Sequence, residues 1–449
     1  MKEMKHTISD LYQMQAMSLE LKIRMTEYRI RQWVEEYGED GVYVSFSGGK
    51  DSTVLLHMAR NIFPNIKAVF ADTGLELPEI RDFVNTFENV DVVKPKMNFK
   101  DVICNYGYPF FSKEICEAVA GGRKWVRDTI AKQKGEKSPT KGNCAYGIAD
   151  LIGVDRRENK DNYDYSLLKK NTLPENSPYF FAVKELIDNA DYLPIRVQLL
   201  DGKNKRPGCT TKSRYNKERY FFMLYAPFDI SNVCCRQMKK NPTHEYSKKN
   251  NMNPITAVMA NESMVRTQKW LENGCNAFNV TYPISNPMSF WTEQDVLLYA
   301  KAHNIELCKV YGDIVYDHSE DENLDEQMTL ADLDQMQFGI FDMERPMLKT
   351  TGCDRTGCAF CGFGMHIEKR PTRFEKLDVI SNPKIRDYCF RGGAFAEDGL
   401  WKPDNRGLGY WFAFKWLNIH GGFDIYIPEF ERYEKEYGTE LTHKYLYGD

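Results

Sequence analysis

Residues 47 to 53 have the composition of a phosphate-binding turn, and they lie between an apolar run at 42–46 and a helical run at 54–59. Adjacent glycines let the main chain turn tightly and approach a ligand, because they carry no Cβ. A helix that starts at Asp51 or Ser52 adds unpaired N–H groups and the positive end of its dipole. The spacing therefore predicts a phosphate site. Its residues are Ser47, Gly48, Gly49, Lys50, Asp51, Ser52 and Thr53.

Two known types of phosphate loop can be compared with this segment. A Walker loop needs Gly at position 44 and Ser or Thr at position 51, whereas the chain has Val44 and Asp51. The pattern SGGKDS instead resembles the loop of the PP-loop ATP pyrophosphatases. In that family the loop holds the β,γ-pyrophosphate of ATP while an acceptor attacks the α-phosphorus. A glycine-rich turn without a ligand remains the alternative at this point.

The residues after the loop predict how the site is positioned. An apolar strand runs from Ala68 and is followed by Asp72, and Pro78 then opens a helix that we expect to reach Phe87. Strand, turn, helix and strand form a βαβ unit, and ligands of open parallel sheets bind at the carboxyl ends of the strands. We therefore expect Ser47 and Asp72 at one edge of a parallel sheet. The predicted fold class is α/β, with helices on both faces of the sheet.

Composition narrows the class of protein. The chain has 449 residues, of which 42% are hydrophobic and 28% charged, as in a soluble protein of two or three domains. It lacks an apolar run of about eighteen residues and has no signal-peptide core at its start, so we expect a cytoplasmic protein without membrane contact. The net charge of −4 argues against non-specific coating of nucleic acid but leaves a local basic groove open.

Motifs and composition divide the chain into segments. Residues 17–35 place Leu19, Ile23, Ile30 and Trp33 on one face, which predicts an amphipathic helix with Lys22 on another face. Short β-rich runs are expected at 255–260 and 278–282. The predicted segments are an N-terminal helical part (1–40), the nucleotide-binding domain (41–102 and 226–310), a helical and loop insertion (103–225), an acidic loop (311–345), a cysteine loop (346–375) and an aromatic-rich C-terminal cap (376–449).

Two stretches of the insertion are basic. Residues 123–143 and 201–219 each hold seven Lys or Arg side chains, and aromatic residues follow the second. Basic residues beside aromatics can track a single strand by charge and stacking, so a nucleic acid is one candidate acceptor. A charge run more often simply faces water, and we favour that interpretation.

A run of cysteines supplies a second centre of chemistry. Cys353, Cys358 and Cys361 form a C-x4-C-x2-C run, and the pair Cys234-Cys235 lies upstream at the start of a predicted helix. Both iron-sulfur clusters and zinc take such thiolate ligands and need a fourth ligand. Buried cysteines without a metal are the alternative, because free Cys is often part of a core.

Several segments resemble one family as a set. The Cys234-Cys235 pair and the sequence GCAFC at 357–361 are similar to the cysteine pairs of 4Fe-4S sulfonucleotide reductases. The segment PMSFWTEQDVLLY at 287–299 resembles their helix, with Thr292 as N-cap. The sequences VFADTGLELPE at 69–79 and NESMVR at 261–266 also match, which implies that Asp72 frames the adenosine and Arg266 contacts an anion. The chain thus resembles the phosphoadenosine phosphosulfate (PAPS) reductase family within the PP-loop superfamily.

The chain also departs from those reductases, which generally lack the complete SGGKDS loop and carry a catalytic thiol in a C-terminal tail. This chain keeps Lys50 and Asp51, and no Cys follows Cys389. It is therefore closer to DndC-like, ATP-cleaving iron-sulfur members, for which the resemblance implies ATP, Mg2+ and a 4Fe-4S cluster as cofactors. Cys353 is either the fourth ligand, in place of Cys234, or a sulfur carrier. The expected cluster ligands are Cys235, Cys353, Cys358 and Cys361.

The predicted function combines the phosphate loop with the cysteine run. The chain would cleave ATP to AMP and pyrophosphate and transfer sulfur to an acceptor, with Lys50 and Asp51 as catalytic residues. A second protein would deliver sulfur or electrons. The alternatives are a sulfonucleotide reductase that releases sulfite, and a nucleotide-binding iron-sulfur module without acceptor chemistry.

Overall fold

The structure is a computed structural model, and it describes residues 4–138, 148, 178–202, 216–317, 347–380 and 383–428. The chain divides into two compact units. The first consists of Met1–Lys96 and Met238–Cys358, and the second of Met97–Gln237 and Ala359–Asp449. The predicted acidic loop lies mostly outside the described residues, as do parts of both basic stretches.

The described strands are short. They are β1 (Val42–Ser45), β2 (Lys67–Ala71), β3 (Val90–Val93), β4 (Phe110–Phe111), β5 (Asn253–Ile255), β6 (Asn276–Ala277), β7 (Ile284–Ser285), β8 (Ile314–Tyr316), β9 (Leu348–Thr350), β10 (Gly362–Phe363), β11 (Ala394–Phe395) and β12 (Trp401–Lys402).

The described α-helices come before, between and after these strands in the sequence. They are α1 (Ile8–Gln15), α2 (Leu19–Tyr37), α3 (Lys50–Ile62), α4 (Pro78–Asn85), α5 (Phe99–Tyr106), α6 (Lys113–Gln133), α7 (Pro178–Asp188), α8 (Ile195–Leu200), α9 (Asn241–Asn250), α10 (Met264–Asn273), α11 (Glu293–Ala302), α12 (Arg373–Ile380), α13 (Pro383–Phe390) and α14 (Tyr410–Gly421).

The first unit is built on a six-stranded sheet with the order β3-β2-β1-β5-β7-β6. Strand β1 pairs in parallel with both β2 and β5, and its Val42, Tyr43 and Val44 are buried. Only the edge pair β6–β7 is antiparallel among the described pairs of this sheet. The predicted βαβ unit and its α/β fold class are confirmed, because β1, α3 and β2 follow one another with β1 and β2 side by side.

Two sequence predictions for later strands are wrong in detail. The run at 278–282 is irregular, and β6 and β7 flank it instead. The aromatic side chains of this run do not follow the alternation of a strand. The Phe278 ring packs against Trp33 at 5.0 Å, whereas Tyr282 stacks on His244 at 4.5 Å. The run predicted at 255–260 ends as a strand at Ile255.

Helix α2 forms where the amphipathic pattern predicts it, with Ser18 as N-cap. Lys22, however, is buried, which corrects its assignment to the polar face. Its ammonium lies 2.8 Å and 2.7 Å from the two carboxylate oxygens of Asp295 on α11. The charge can be buried because its partner neutralises it and accepts its hydrogen bonds.

The second unit has an aromatic core centred on α14. Tyr410, Trp411, Phe412, Phe414 and Trp416 are all buried, so most of the surface of this helix packs against other elements, and Lys415 and Asn418 lie on its half-buried side. Strand β10, directly after the last cysteine of the cysteine run, pairs in parallel with β4. No helix in the described part of the chain is both long and apolar enough to span a bilayer.

Candidate functional site

The phosphate loop connects β1 to α3 at the carboxyl end of the sheet. Helix α3 begins at Lys50, one residue earlier than the sequence predicted, with Gly49 as N-cap. Gly48 has a φ of +70°, and a Cβ built there would lie 2.9 Å from the Cγ2 atoms of both Ile80 and Val84. Glycine is therefore required at position 48 both by the backbone conformation and by the close approach of α4.

The hydroxyl groups of the loop stabilise its turn. The Ser47 amide donates to Ser52 Oγ at 3.1 Å. Ser52 Oγ and Thr53 Oγ1 both donate to the Gly49 carbonyl, at 2.9 Å and 3.0 Å. These bonds hold the first turn of α3 against the loop and preorganise its amides.

Lys50 is the buried cation of the site, with 3% of its side chain exposed. Its ammonium lies 2.9 Å from Glu293 Oε1 and donates to the Asp354 carbonyl at 2.8 Å, and Asp51 Oδ1 lies 3.8 Å away. Burial lowers the pKa of Lys50, but the carboxylates of Asp51 and Glu293 outweigh it, and the pKa is raised above its ordinary value. The lysine is therefore charged at neutral pH.

Asp51 lies among charges of both signs. Burial raises its pKa, Lys50 acts in the opposite direction, and Glu293 raises it further, while Arg355 and Arg266 lower it. Its Oδ1 is buried and accepts no hydrogen bond within the described residues. The carboxylate thus has coordination capacity that the protein does not use.

Arg266 lies near Asp51, as the pKa effects of the two groups on each other indicate. It belongs to the first turn of α10, which Ser263 caps by accepting from the Arg266 amide at 3.3 Å. Its guanidinium contacts the Glu262 carboxylate. Burial lowers the pKa of Arg266, and the neighbouring Arg355 lowers it further. Lys50, Arg266 and Arg355 are therefore the three cations whose charges lower the pKa of the Asp51 carboxyl.

Asp72 follows β2 and Ser47 follows β1, so the two lie beyond the carboxyl ends of adjacent parallel strands. The Asp72 carboxylate pairs with Arg81 at 3.0 Å and reaches Lys94 at 4.0 Å. It also accepts the Gly74 amide at 3.1 Å. Asp72 therefore lies at the same edge of the sheet as Ser47, as the sequence predicts.

Four further residues of the site have no motif that predicts their role. Glu293 lies in the first turn of α11, where the Thr292–Asp295 capping box is present as predicted. That box was the signal that could have located it. Tyr311 OH accepts from the Lys50 amide at 3.0 Å and lies 2.7 Å from Thr356 Oγ1. No sequence pattern marks Tyr311, Arg355 or Thr356 as neighbours of the loop.

The predicted cysteine ligands belong to both units. Cys353 and Cys358 are in the first unit, and Cys235 and Cys361 are in the second. Cys353 is buried, with its amide donating to the Val310 carbonyl at 2.8 Å. The other three thiols are half-buried.

The donor chemistry of these cysteines suits a soft metal. Among the described residues, no three or more His, Cys, Asp or Glu side chains are grouped to hold a metal ion. In the second unit, burial raises the pKa of the Tyr410 phenol, and the thiols of Cys389, Cys361 and Cys234 add to that shift. Cys234 and Cys361 thus lie near one phenol, and the choice between Cys234 and Cys235 as ligand stays open.

The fold and the loop together define a nucleotide-binding α/β protein of the PP-loop class. The profile of the phosphoadenosine phosphosulfate reductase domain matches residues 41–120 and 181–362, which is more than half of the chain. The chain belongs to this family.

One curated relative shares a shorter region. An uncharacterized protein of Methanocaldococcus jannaschii is 36% identical over 83 residues, which cover 17% of this chain and 20% of the relative. The chain thus spans about a fifth of that relative's length.

Proposed function

We propose that the protein is an ATP pyrophosphatase that cleaves ATP between its α and β phosphates and activates an acceptor as its adenylate. The observation that carries the proposal is the complete loop, with a buried and charged Lys50 beside the first amides of α3. Such a loop binds phosphate through fixed N–H donors and a point charge. Ser47, Gly48, Gly49, Ser52 and Thr53 would surround the β- and γ-phosphates.

The charges of the site suit this reaction. When the acceptor attacks the α-phosphorus, negative charge develops on the leaving pyrophosphate. Lys50 would neutralise that charge, because its ammonium is held charged beside the loop by Glu293 and Asp51. Arg266 and Arg355 would attract the remaining phosphate oxygens, and Asp72 would frame the adenosine.

Mg2+ is the metal that this chemistry implies for the loop. Asp51 fits it, because its Oδ1 is buried and accepts no hydrogen bond in the described part of the protein. A carboxylate together with phosphate oxygens is the usual protein environment of Mg2+. The ion would add charge neutralisation at the pyrophosphate when bound.

The second half of the proposal is sulfur transfer to the activated acceptor, supported by the cysteine run and by membership of the PAPS reductase family. Cys235, Cys353, Cys358 and Cys361 are the proposed ligands of a 4Fe-4S cluster, although the described residues do not group them. Anaerobic protein should contain about four iron atoms and four sulfides per chain, and one zinc without sulfide would contradict this half.

The acceptor is unidentified: a nucleic acid is one candidate, and a separate protein is the proposed sulfur donor or reductase. A sulfonucleotide reductase is the competing function, because the same family includes enzymes that act on PAPS. That reaction needs a thiolate outside the cluster as nucleophile. Burial raises the pKa of Cys104, Cys116, Cys275, Cys308 and Cys389, which disfavours their thiolates.

The two functions differ in the nucleotide that reacts. We expect ATP to yield AMP and pyrophosphate, and PAPS with thioredoxin and reductant to yield no sulfite above background. Sulfite at enzymatic rates, together with one sulfonate added to a single cysteine, would establish the reductase instead.

A further inference from the structure

The phosphate loop is occupied by the protein's own side chains and backbone. The Lys50 amide donates to Tyr311 OH, and the Lys50 ammonium donates to the Asp354 carbonyl. A Cβ built on Gly49 would lie 3.1 Å from Thr356 Oγ1 and 3.4 Å from Tyr311 OH. Two donors that a phosphate would use, the amide and the ammonium of Lys50, therefore already have partners, and two hydroxyl groups lie close to Gly49.

These partners belong to one stretch of chain, residues 352–356, and to the turn on which it rests. The Gly352 amide donates to the Tyr311 carbonyl at 2.8 Å, and the Cys353 amide donates to the Val310 carbonyl at 2.8 Å. Thr356 Oγ1 lies 2.7 Å from Tyr311 OH. The segment 352–356 is thus attached to the 3-10 turn Lys309–Tyr311 at both ends, and Tyr311 joins the two to the loop.

We propose that residues 352–356 form a strap over the phosphate loop that nucleotide binding displaces, so that occupancy of the loop controls the backbone that carries Cys353. This inference rests on the proposed function. The Lys50 amide has one N–H group, which now donates to Tyr311 OH. If a pyrophosphate oxygen accepts that hydrogen bond, the Tyr311 hydroxyl must move away. A bound pyrophosphate would also compete with the Asp354 carbonyl for the Lys50 ammonium, whose other close acceptor is Glu293 Oε1.

The strap couples nucleotide binding at the phosphate loop thermodynamically to the conformation of the segment that carries Cys353. A ligand that binds only the open state shifts the population toward that state. By reciprocity, whatever releases the strap must also raise the affinity for the ligand. Nucleotide binding would then free the Gly352 and Cys353 amides and loosen the segment that leads to Cys358. Sulfur chemistry at the cysteine run would follow nucleotide binding rather than precede it.

Hydrogen exchange of the full-length protein tests the displacement. With saturating Mg2+ and inorganic pyrophosphate, or Mg2+ and ATP, we expect the amides of Gly352 and Cys353 to exchange faster than in the free protein. The amides of 50–53 should exchange more slowly, and those of α1 should not change. Slower exchange at both 50–53 and 352–353 would overturn the proposal, because it would mean that the strap closes over the ligand.

Affinity measurements test the reciprocal effect. Tyr311→Phe keeps the buried ring but removes the hydroxyl that joins the strap to the loop, so the dissociation constant of Mg2+-pyrophosphate should fall about fivefold. Thr356→Val should act in the same direction. The matched control is Tyr246→Phe, which removes a hydroxyl bonded to Asp91 at 2.6 Å in the same unit and should leave the affinity unchanged.

The outcomes also separate this inference from the function on which it rests. Weaker pyrophosphate binding by Tyr311→Phe would make the hydroxyl a ligand contact and would refute the strap alone. Binding without any change in exchange at 352–353 would likewise refute the strap alone. If neither ATP nor pyrophosphate binds the wild-type protein, both the strap and the ATP pyrophosphatase are wrong.

Discussion

The ammonium of Lys50 lies 2.9 Å from the carboxylate of Glu293, although the two residues come from the first turns of different helices, α3 and α11. Lys50 has 3% of its side chain exposed and Glu293 has 42%. The pair thus joins a buried cation to a carboxylate at the surface of the site. Glu293 can therefore hold Lys50 charged while the phosphate loop is empty.

Replacing Glu293 tests this relationship. Burial lowers the pKa of Lys50, and Glu293 is one of the carboxylates that outweigh it. In Glu293→Gln the pKa of Lys50 should fall. As the pH is raised above neutrality, the rate of pyrophosphate release should therefore begin to decline at a lower pH than in the wild type. The measurement is that rate from about pH 7 to 11. Glu20→Gln, at an exposed pair with Arg24, should keep the wild-type profile, and an unshifted Glu293→Gln profile would contradict the assignment.

Gly48 should be irreplaceable for two separable reasons. Gly48→Ala combines backbone strain at positive φ, about 1–2 kcal/mol, with contacts of 2.9 Å to Ile80 and Val84. Gly38 has a similar φ of +76° but nothing within 4 Å of its added Cβ, so Gly38→Ala should show the strain alone and keep full activity. Urea unfolding and pyrophosphate release measure both effects. Equal losses in the two variants would mean that the approach of α4 does not shape the loop.

The buried pair of Lys22 and Asp295 should matter more for stability than an exposed pair on the same helix. Lys22→Met leaves the Asp295 carboxylate buried without its cation, which commonly costs about 3–5 kcal/mol. Arg24→Met breaks the exposed pair with Glu20 and should cost less than about 1 kcal/mol. Chemical unfolding of both variants measures the difference. Similar losses would show that the pair at position 22 is solvated.

His420 should make the stability of the second unit depend on pH. Burial lowers its pKa to about 3, below the value of about 6.5 for an unfolded chain. The stability that neutral His420 contributes is therefore full above about pH 6.5 and declines as the pH falls toward 3. Between pH 7.5 and 5 the loss should reach about 2 kcal/mol. His420→Leu should lose correspondingly less over that range in urea unfolding followed by tryptophan fluorescence, and parallel pH profiles would contradict the burial of this imidazole.

Local signals explain which parts of the fold the sequence could predict. The SGGKDS loop, the βαβ unit and the capping box at Thr292 depend on residues a few positions apart, so the pattern itself encodes them. The run at 278–282 is misassigned because its two aromatic residues have different partners. Phe278 packs against the buried Trp33, whereas Tyr282 stacks on the exposed His244. Periodicity cannot distinguish these two causes.

The remaining parts of the site depend on contacts between distant residues. Tyr311 meets the Lys50 amide across 261 positions of sequence, and Lys22 meets Asp295 across 273. A lysine in an amphipathic helix is normally solvated, and only the position of Asp295 reverses that expectation. Sequence spacing alone carries no information about such pairs.

The central claim is that this loop directs cleavage of ATP between its α and β phosphates. The most direct measurement follows ATP labelled at the α-phosphate through incubation with anaerobically purified protein and Mg2+, in the wild type and in Lys50→Ala and Asp51→Ala. We predict labelled AMP with equimolar pyrophosphate in the wild type, and a rate reduced about a hundredfold or more in both variants under conditions where each variant remains folded. Labelled ADP as the product, or unchanged turnover in both variants, would contradict the account.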